Sequence, residues 1–317
     1  MPVGTGARVF FEPKIALHEP ELYAFERTDP GVPAALAGEP DALGLYREQG
    51  FLTVRGLLAT DEVRAVRAEL EGMALSDDPG CGSVWYEGAV RDHVRLDESR
   101  DHHVDGRTTG LGFAPGQEGA VPDLDPAVRA RYVRKFMGFV DRKPALTALA
   151  GHPAVLAVVT RLLGGGGGGT PEMFQDMALV KPGGGREKPW HQDHAYINVA
   201  LDTSIVGVWI PMGEVTPENG CMHMLAGGHK AGPRPHFKRR DWQICDADVD
   251  TAGRVAVPMQ AGDVLLFDGK LPHGTPVNRT GEHRWAVQYH YRGAASVAVD
   301  DEARLAGFGS EGRDVTC

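Results

Sequence analysis

Residues 177–194 read MALVKPGGGREKPWHQDH, and this stretch combines a β-type run, a turn and two candidate metal ligands. It opens with a short β-type run at 177–180, which ends in the turn residues KPGGG. After the turn comes WHQDH, which contains His191 and Asp193. In an extended chain, residues i and i+2 project from the same face, so these two side chains point to one side. The stretch therefore predicts β-structure with two metal-binding side chains close together.

The rest of the second half repeats this pattern of short β-type runs separated by Gly, Pro, Asn and Asp. The runs lie at 205–210, 264–267 and 285–291. Many short strands at this spacing are typical of an antiparallel barrel or jelly roll.

The first half of the chain differs, because its apolar residues recur mainly at helical spacing. A helix is predicted after Thr60-Asp61, a second from 125 to about 140, and a third over 153–163. One strand is predicted here, at 51–55, from its alternating pattern.

Together the two halves predict an α+β fold: a double-stranded β-helix, which is a jelly-roll or cupin-like barrel, with helices packed on one outer face. The helix-rich part extends to about residue 163, the jelly-roll core covers about 172–292, and a C-terminal tail covers 293–317. A length of 317 residues fits one large catalytic domain, 1–317.

His273 offers a third metal ligand, in the segment LPHGT that follows the predicted strand 264–267. Two imidazoles and one carboxylate on one face of an octahedron leave three positions open, which suits Fe(II) and oxygen chemistry. An HxD tripeptide or a lone histidine is by itself more often an ordinary structural feature. The metal site therefore depends on the residues that follow.

Arg284 follows His273 after a turn that contains Asn, Thr and Gly. The chain has room to turn and return along a neighbouring strand, which places the guanidinium beside the metal. A rigid bidentate fork in an apolar barrel needs a carboxylate partner, and a dicarboxylate cosubstrate supplies one. Two alternatives stay open: Arg284 is a surface residue paired with Glu282 or with another acid, or Arg279 in the turn holds the cosubstrate.

Strand parity extends this prediction along 285–291. If Arg284 points inward, alternate residues share its face and the others face the opposite layer. The inward residues are then Ala286, Gln288 and His290, and the outward residues are Trp285, Val287, Tyr289 and Tyr291.

Several further segments occur in a fixed order around these residues. They are EQGFLTVRG at 48–56, KP at 181–182, WHQDH at 190–194, VWI at 208–210, PENGC at 217–221, GHK at 228–230, GDVLLF at 262–267 and HGT at 273–275, followed by Asn278 and Arg284. In this order, over about residues 41–292, the chain resembles the phytanoyl-CoA dioxygenase family of Fe(II)/2-oxoglutarate oxygenases.

The resemblance implies roles for individual residues. His191, Asp193 and His273 match the iron ligands. Arg284 matches the arginine that pairs with the distal carboxylate of 2-oxoglutarate, and Thr275 matches a hydroxyl residue that assists it. The further cosubstrate contacts that the resemblance implies are Met177, Trp209, Lys135 in the helical half, and Gln175. For Met177 and Trp209, core packing is a second role that stays open.

The implied reaction is hydroxylation of an unactivated C–H bond of a small-molecule metabolite. It consumes O2, releases succinate and CO2, and uses ascorbate as a reductant. Relatives that halogenate replace the carboxylate ligand with a small residue, so Asp193 argues against halogenation. Desaturation, cyclisation and epoxidation stay open, as do two other classes: a non-redox enzyme with Zn or Mn in the same triad, and a non-catalytic member.

The overall composition limits which classes of partner and which cellular location are predicted. The net charge of −10 argues against nucleic acid, because neutralising phosphates needs a concentrated basic surface. The sequence contains no run of 18 or more apolar residues, so no membrane span is predicted. Its first residues lack the pattern of a secretory signal, so export is not predicted either. Four widely spaced cysteines without a CxxC pair predict reduced thiols in a cytoplasmic protein. The abundance of Ala, Gly, Arg and Val fits a GC-rich bacterial genome, and the resemblance then implies secondary metabolism.

The segment 82–112 mixes aromatic residues, histidines and arginines in a glycine-rich setting, and it includes Trp85 and Tyr86. Two interpretations stay open, an active-site lid and an ordinary surface loop. The sequence predicts neither the substrate nor the oligomeric state.

Overall fold

The structure, a computed structural model, describes residues 7–12, 17–88, 122–164, 171–250, 252–293 and 295–309. The helices are α1 Pro40–Gln49, α2 Thr60–Leu75, α3 Pro126–Ala130, α4 Pro144–Ala150, α5 Pro153–Leu162 and α6 Asp301–Phe308. The first eight strands are β1 Arg8–Phe11, β2 Arg27–Thr28, β3 Val32–Pro33, β4 Phe51–Arg55, β5 Ser83–Tyr86, β6 Val133–Met137, β7 Pro171–Lys181 and β8 Lys188–His191. The other eight are β9 Ile205–Pro211, β10 Met222–Leu225, β11 His236–Lys238, β12 Trp242–Ile244, β13 Arg254–Val257, β14 Val264–Asp268, β15 His273–Thr275 and β16 Arg284–Gly293.

Two sheets form the barrel. Nine strands make a large sheet in the order β1-β5-β6-β7-β16-β9-β14-β4-β3, and five make a smaller one in the order β2-β13-β10-β15-β8. Trp209, Phe267 and Ala286 from the large sheet share one apolar core with Met224 and Val255 from the small sheet. The two sheets therefore pack face to face, as the prediction of a jelly roll requires.

Helices cover the opposite face of the large sheet. Val208 and Val287 from that face belong to one buried cluster with Leu70 of α2, Leu149 of α4 and Val159 of α5. The predicted fold class, a jelly roll with helices on one outer face, is confirmed.

Strand β16 shows the predicted alternation. Its outward residues, Trp285, Val287, Tyr289 and Tyr291, belong to the cluster beneath the helices. Of the inward residues, Arg284 and Gln288 line a cavity inside the barrel, and Ala286 belongs to the core between the sheets. The side chains thus alternate between the helix layer and the barrel interior, although the pairing with β7 shifts register between His290 and Tyr291.

The prediction of one helix over 125–140 is wrong. The helix ends at Ala130 and the chain continues as β6, which pairs with β5 on one side and β7 on the other. Residues such as Ala, Arg and Met favour a helix locally, but pairing with two neighbouring strands overrides that preference. The first half of the chain therefore also contributes six short strands, β1–β6, to the two sheets.

Residues 144–162 are long and apolar enough on average to cross a membrane as one helix. In the structure they form α4 and α5, which are 7 and 10 residues long. A membrane span needs about 20 residues in one helix. The buried side of this pair packs in the cluster beneath the large sheet, through residues such as Leu146 and Val155.

The prediction of reduced thiols holds for two of the cysteines that the structure describes and fails for a third. Cys81 and Cys221 are free and buried. Cys245 is disulfide-bonded, so the prediction is wrong at that position. Sequence spacing carries no information about which cysteines meet in space, and the prediction rested on spacing alone.

Part of the proposed lid falls within the structure. Trp85 and Tyr86 belong to β5 and are buried, so this part of the segment is a strand of the large sheet. Residues 89–112 lie outside the described residues.

Candidate active site

Three elements bring the predicted metal ligands together. His191 ends β8 and His273 begins β15, and the two residues are direct partners in the antiparallel register. Asp193 begins a short 3-10 turn two residues beyond the strand. One ligand atom from each side chain lies within 4.8 Å of the other two, and all three residues are buried.

Backbone hydrogen bonds fix the tautomer of both histidines. Nδ1 of His191 lies 2.8 Å from the carbonyl oxygen of Pro189, and Nδ1 of His273 lies 2.9 Å from that of Leu271. A carbonyl only accepts, so each Nδ1 carries the proton and each Nε2 presents a lone pair. Metal-binding histidines are typically oriented in this way.

The candidate ligand atoms lie close to one another. Oδ1 of Asp193 lies 3.2 Å from Nε2 of His191 and 3.5 Å from Nε2 of His273. Burial lowers the pKa of His191 to about 4, so its ring is neutral at pH 7. Burial would raise the pKa of Asp193, but His273 and His290 hold it well below its usual value. A carboxylate and two imidazoles this close together fit a divalent cation.

Arg284, the first residue of β16, lines the same cavity and is buried. Its Nε and Nη1 atoms have no hydrogen-bond partner among the described residues. The guanidinium carbon lies 5.3 Å from the centre of the Trp209 ring. Burial, and then the charge of Arg134, lower the pKa of Arg284 to about 9, so it remains a cation at pH 7. A buried cation with unused donors is a site for an anion.

Lys181 places a second basic group beside Arg284. The two residues are partners in the register of β7 and β16. Nζ of Lys181 donates to Oγ1 of Thr275 at 2.8 Å and to the carbonyl oxygen of Pro276 at 2.5 Å. Burial and the charge of Arg284 lower the pKa of Lys181 well below its usual value. Lys181 therefore fixes Thr275 beside Arg284, and the donors at this end without a partner among the described residues are Nε and Nη1 of Arg284.

The remaining predicted residues lie on the walls of the same cavity. Met177, Gln288 and Trp209 are register partners on adjacent strands, and Gln175 lies opposite His290. Lys135 comes from β6, not from a helix as predicted. Its Nζ lies 4.0 Å from the centre of the Trp85 ring, and burial lowers its pKa to about 7.

All nine residues predicted for the site thus line one cavity. They are Lys135, Gln175, Met177, His191, Asp193, Trp209, His273, Thr275 and Arg284. The contacts of the six non-ligand residues with a cosubstrate stay predictions. Arg279 is exposed, so the alternative arginine in the turn does not reach the cavity.

Three residues of the site were missed as functional residues from the sequence. Lys181 was noted only as part of a motif. Gln288 and His290 were placed on the inward face of β16, but not next to a ligand. In the structure both contact Oδ2 of Asp193, at 2.9 and 2.8 Å. The alternation along β16 predicts that the two side chains point inward. Their contact with Asp193 depends on how β16 lies against the turn after β8, which the sequence does not show.

Charged and polar side chains form another wall of the cavity. Nζ of Lys188 donates to Asp241 at 2.7 Å and to the hydroxyl of Tyr196 at 3.0 Å. Glu12 also lines the cavity and pairs with Arg186 at 2.6 Å. This wall is suited to a polar molecule and not to a long apolar chain.

Residues 46–286 match the model of the family described as phytanoyl-CoA dioxygenase (PhyH). The chain belongs to the phytanoyl-CoA dioxygenase family. This is a family of iron- and 2-oxoglutarate-dependent oxygenases, and the His191, Asp193 and His273 site lies within the matched residues.

Relatives in the phytanoyl-CoA dioxygenase family resemble most of the chain. The peroxisomal phytanoyl-CoA dioxygenase of Bos taurus is 32% identical over 272 residues, 81% of this chain and 69% of the bovine protein. That of Rattus norvegicus is 25% identical over 268 residues, which cover 78% of this chain and 66% of the rat protein. A probable phytanoyl-CoA dioxygenase of Caenorhabditis elegans is 30% identical over 171 residues, covering 50% of this chain and 54% of its own length.

Solved structures share the fold. EvdO2 from Micromonospora carbonacea var. aurantiaca, complexed with 2-oxoglutarate, has a TM-score of 0.57 and 20% identity, over 85% of this chain and 96% of that one. The epimerase SnoN, complexed with Fe3+, alpha ketoglutarate and nogalamycin RO, has a TM-score of 0.56 and 19% identity, over 89% and 94%. At these identities the likeness concerns the fold.

Proposed function

We propose that this family member is an Fe(II)- and 2-oxoglutarate-dependent dioxygenase that hydroxylates an unactivated C–H bond of a small-molecule metabolite. O2 is the oxidant, succinate and CO2 are released, and ascorbate keeps the iron reduced. The observation that carries the proposal is the pairing of a three-ligand site with Arg284, a buried cation whose Nε and Nη1 have no partner among the described residues. A metal enzyme without a dicarboxylate cosubstrate has no use for that cation.

The roles of the residues follow from their positions. His191, Asp193 and His273 hold the iron, and Arg284 with the Thr275 hydroxyl binds the distal carboxylate of 2-oxoglutarate. Lys181 donates to the oxygen of that hydroxyl, so the hydroxyl proton is free to point into the cavity. The bound iron and cosubstrate supply the oxidising power, while the protein positions them and excludes water.

The polar wall guides the proposal for the substrate. Lys188, Tyr196 and Asp241 form a hydrogen-bonded set at the cavity, next to the His191 ring, whose centre lies 5.7 Å from that of Tyr196. A substrate with hydroxyl or charged groups finds partners there. We therefore place a polar metabolite, and not a long acyl chain, in the substrate position.

Cyclisation or epimerisation by the same centre is the second candidate. Its support is the fold shared with SnoN, an epimerase, and with the carbocyclase SnoK, at a TM-score of 0.53. Desaturation and epoxidation belong to the same group of outcomes, because the residues proposed to hold iron and cosubstrate would be the same.

The test is cosubstrate turnover. Protein loaded with Fe(II) is supplied with 2-oxoglutarate and O2, and succinate formed is compared with O2 consumed, with and without ascorbate. Without substrate, we expect succinate to form slowly and in amounts equal to the O2 consumed. His191→Ala, which removes one of the three protein ligands, should form none. A non-redox enzyme would consume no O2, and a non-catalytic protein would bind 2-oxoglutarate without forming succinate. Either result would overturn the proposal.

A further inference from the structure

The two oxygens of Asp193 have different surroundings. Oδ1 faces Nε2 of His191 and Nε2 of His273, at 3.2 and 3.5 Å, and is therefore the oxygen placed to bind a metal. Oδ2 faces the opposite way, toward β16. It lies 2.9 Å from Nε2 of Gln288 and 2.8 Å from Nε2 of His290.

The protonation of His290 follows from these contacts. A carboxylate oxygen accepts, so Nε2 of His290 must carry a hydrogen in order to contact Oδ2. The amide nitrogen of Gln288 is a donor as well, and its distance of 3.1 Å from Nε2 of His290 is a close approach of two donors. Both donors therefore serve the same oxygen. Nδ1 of His290 has no partner among the described residues, so this ring makes its hydrogen bond only through Nε2.

These donors come from a rigid part of the barrel. β16 is paired along its length with β7 on one side and β9 on the other. Gln288 and His290 are 3% and 1% exposed, so water does not compete for Oδ2. The carboxylate of Asp193 is consequently held in one rotation, with one oxygen toward the imidazoles and the other toward the strand.

We propose that Gln288 and His290 are positioning residues that keep Asp193 a one-oxygen ligand of the metal. A carboxylate free to rotate is able to bind through both oxygens and to occupy a second coordination position. With Oδ2 held by two donors, that position stays open for the chelating end of 2-oxoglutarate. The inference rests on the proposed function, because it assigns the open position to that cosubstrate.

The test separates metal binding from cosubstrate binding. Gln288→Met and His290→Phe remove one donor each at similar size. The affinity for Ni(II), which does not turn over, and the affinity of the Ni(II)-loaded protein for 2-oxoglutarate are both measured by calorimetry. Loss of groups that orient metal ligands typically weakens metal binding by about 10–100-fold. We expect a loss in that range, and a further loss of about tenfold in 2-oxoglutarate affinity at saturating Ni(II).

Two further variants control for stability. Tyr291→Phe removes a buried hydrogen bond on the opposite face of the same strand, where the hydroxyl donates to the carbonyl oxygen of Ala150 at 2.6 Å. It should lower the melting temperature and leave both affinities unchanged. His290→Gln keeps a donor at similar reach and should recover part of both affinities, even if His290→Phe does not fold.

The outcomes are distinguishable. If the wild-type protein loaded with Ni(II) does not bind 2-oxoglutarate, the proposed function itself fails. If the wild type binds and Gln288→Met, which removes a donor to Oδ2, binds metal and cosubstrate as the wild type does, only the positioning role fails. Loss of metal affinity with an unchanged 2-oxoglutarate affinity would mean that the two residues support the ligand without keeping a position open.

Discussion

Arg284 occupies a wall of the barrel where a charge is costly unless it is paired. Its Nε and Nη1 are buried without a partner in the described part of the chain, and its aromatic neighbour is Trp209. Charge-assisted hydrogen bonds contribute roughly 1.5–3 kcal/mol each. The affinity for a dicarboxylate that pairs with Arg284 should therefore depend strongly on this side chain.

We expect Arg284→Ala to raise the Michaelis constant for 2-oxoglutarate by about a hundredfold, since each 1.4 kcal/mol is a factor of about ten. Arg284→Lys should recover only part, because an ammonium keeps the charge and loses the planar fork. The measurement is a 2-oxoglutarate titration of succinate formation at matched iron and O2. Arg279→Ala is the control, since Arg279 is exposed. Equal titrations for Arg284→Ala and the wild type would make Arg284 a structural residue.

Lys135 gives a prediction about pH. Burial lowers its pKa to about 7, so the side chain is a cation below pH 7 and neutral above it. Both carboxylates of 2-oxoglutarate are ionised throughout this range. If Lys135 contacts the cosubstrate, affinity should fall as the pH rises from 6 to 8, and Lys135→Met should flatten that profile. The measurement is 2-oxoglutarate binding to the Ni(II)-loaded protein at each pH. A wild-type profile that Lys135→Met leaves unchanged would remove Lys135 from the cosubstrate site.

The site was predictable from sequence as far as its motifs are local. His191 and Asp193 lie two residues apart, and Arg284 follows His273 by one turn, so spacing and family resemblance together identified them. Gln288 and His290 escaped notice as partners of Asp193, because their contact joins a strand to a turn nearly a hundred residues earlier. No local pattern records such a contact.

Among the elements, β9 shows how a small residue supports a predicted metal ligand. Gly207 faces Phe267 of β14, its register partner, and a Cβ added at Gly207 would lie 2.5 Å from the Phe267 ring. The centre of that ring lies 4.7 Å from the centre of the His273 ring. Phe267 therefore packs against the histidine in space that the glycine leaves open.

Gly207→Ala should force the Phe267 ring toward His273. Overpacking of this kind typically costs about 1–3 kcal/mol of stability, and the displaced ring should also weaken metal binding. Denaturant unfolding and Ni(II) titration measure the two effects. Gly213→Ala is the control, because a Cβ there meets nothing within 4 Å. If both variants bind metal like the wild type, the packing of Phe267 on His273 has no role in holding the ligand.

Helices and strands were predictable where the apolar residues recur at a clear helical or alternating spacing. The strand at 51–55, the helix after Thr60 and the alternation along β16 match the structure. The region 125–140 failed because its fate depends on β5 and β7, which lie before and after it in the chain. Local preference favours a helix there, while the partners that make it a strand are visible only in the folded sheet.

Over the described ranges, the large sheet joins strands from the two halves of the chain. β4, from the first half, pairs with β14, and β6 pairs with β7, which in turn pairs with β16. The helices that cover this sheet also come from the first half. The boundary near residue 163 therefore separates a helix-rich from a strand-rich part of the sequence. Both parts contribute to the same hydrophobic core.

We expect the chain to unfold as one unit, in agreement with the prediction of a single domain, 1–317. Far-ultraviolet circular dichroism and tryptophan fluorescence should give coincident thermal transitions, with one calorimetric peak. The measurement is made with and without Ni(II), which should move the single peak to higher temperature. A separate early transition that melts helices while the barrel stays intact would show that the two halves are independent domains.

The burial of Arg284 without a partner for its Nε and Nη1 in the described ranges has a consequence for the lifetime of the protein. Without an anion the cavity holds a charge that opposes folding, so the empty form is the less stable one. A ligand at 100 times its dissociation constant, bound only by the folded chain, adds about 2.7 kcal/mol. In a cell, proteases remove chains in proportion to how often they open. If Arg284 binds 2-oxoglutarate as proposed, the abundance of this protein should rise and fall with the supply of that cosubstrate, and the same side chain would set how long the folded chain survives.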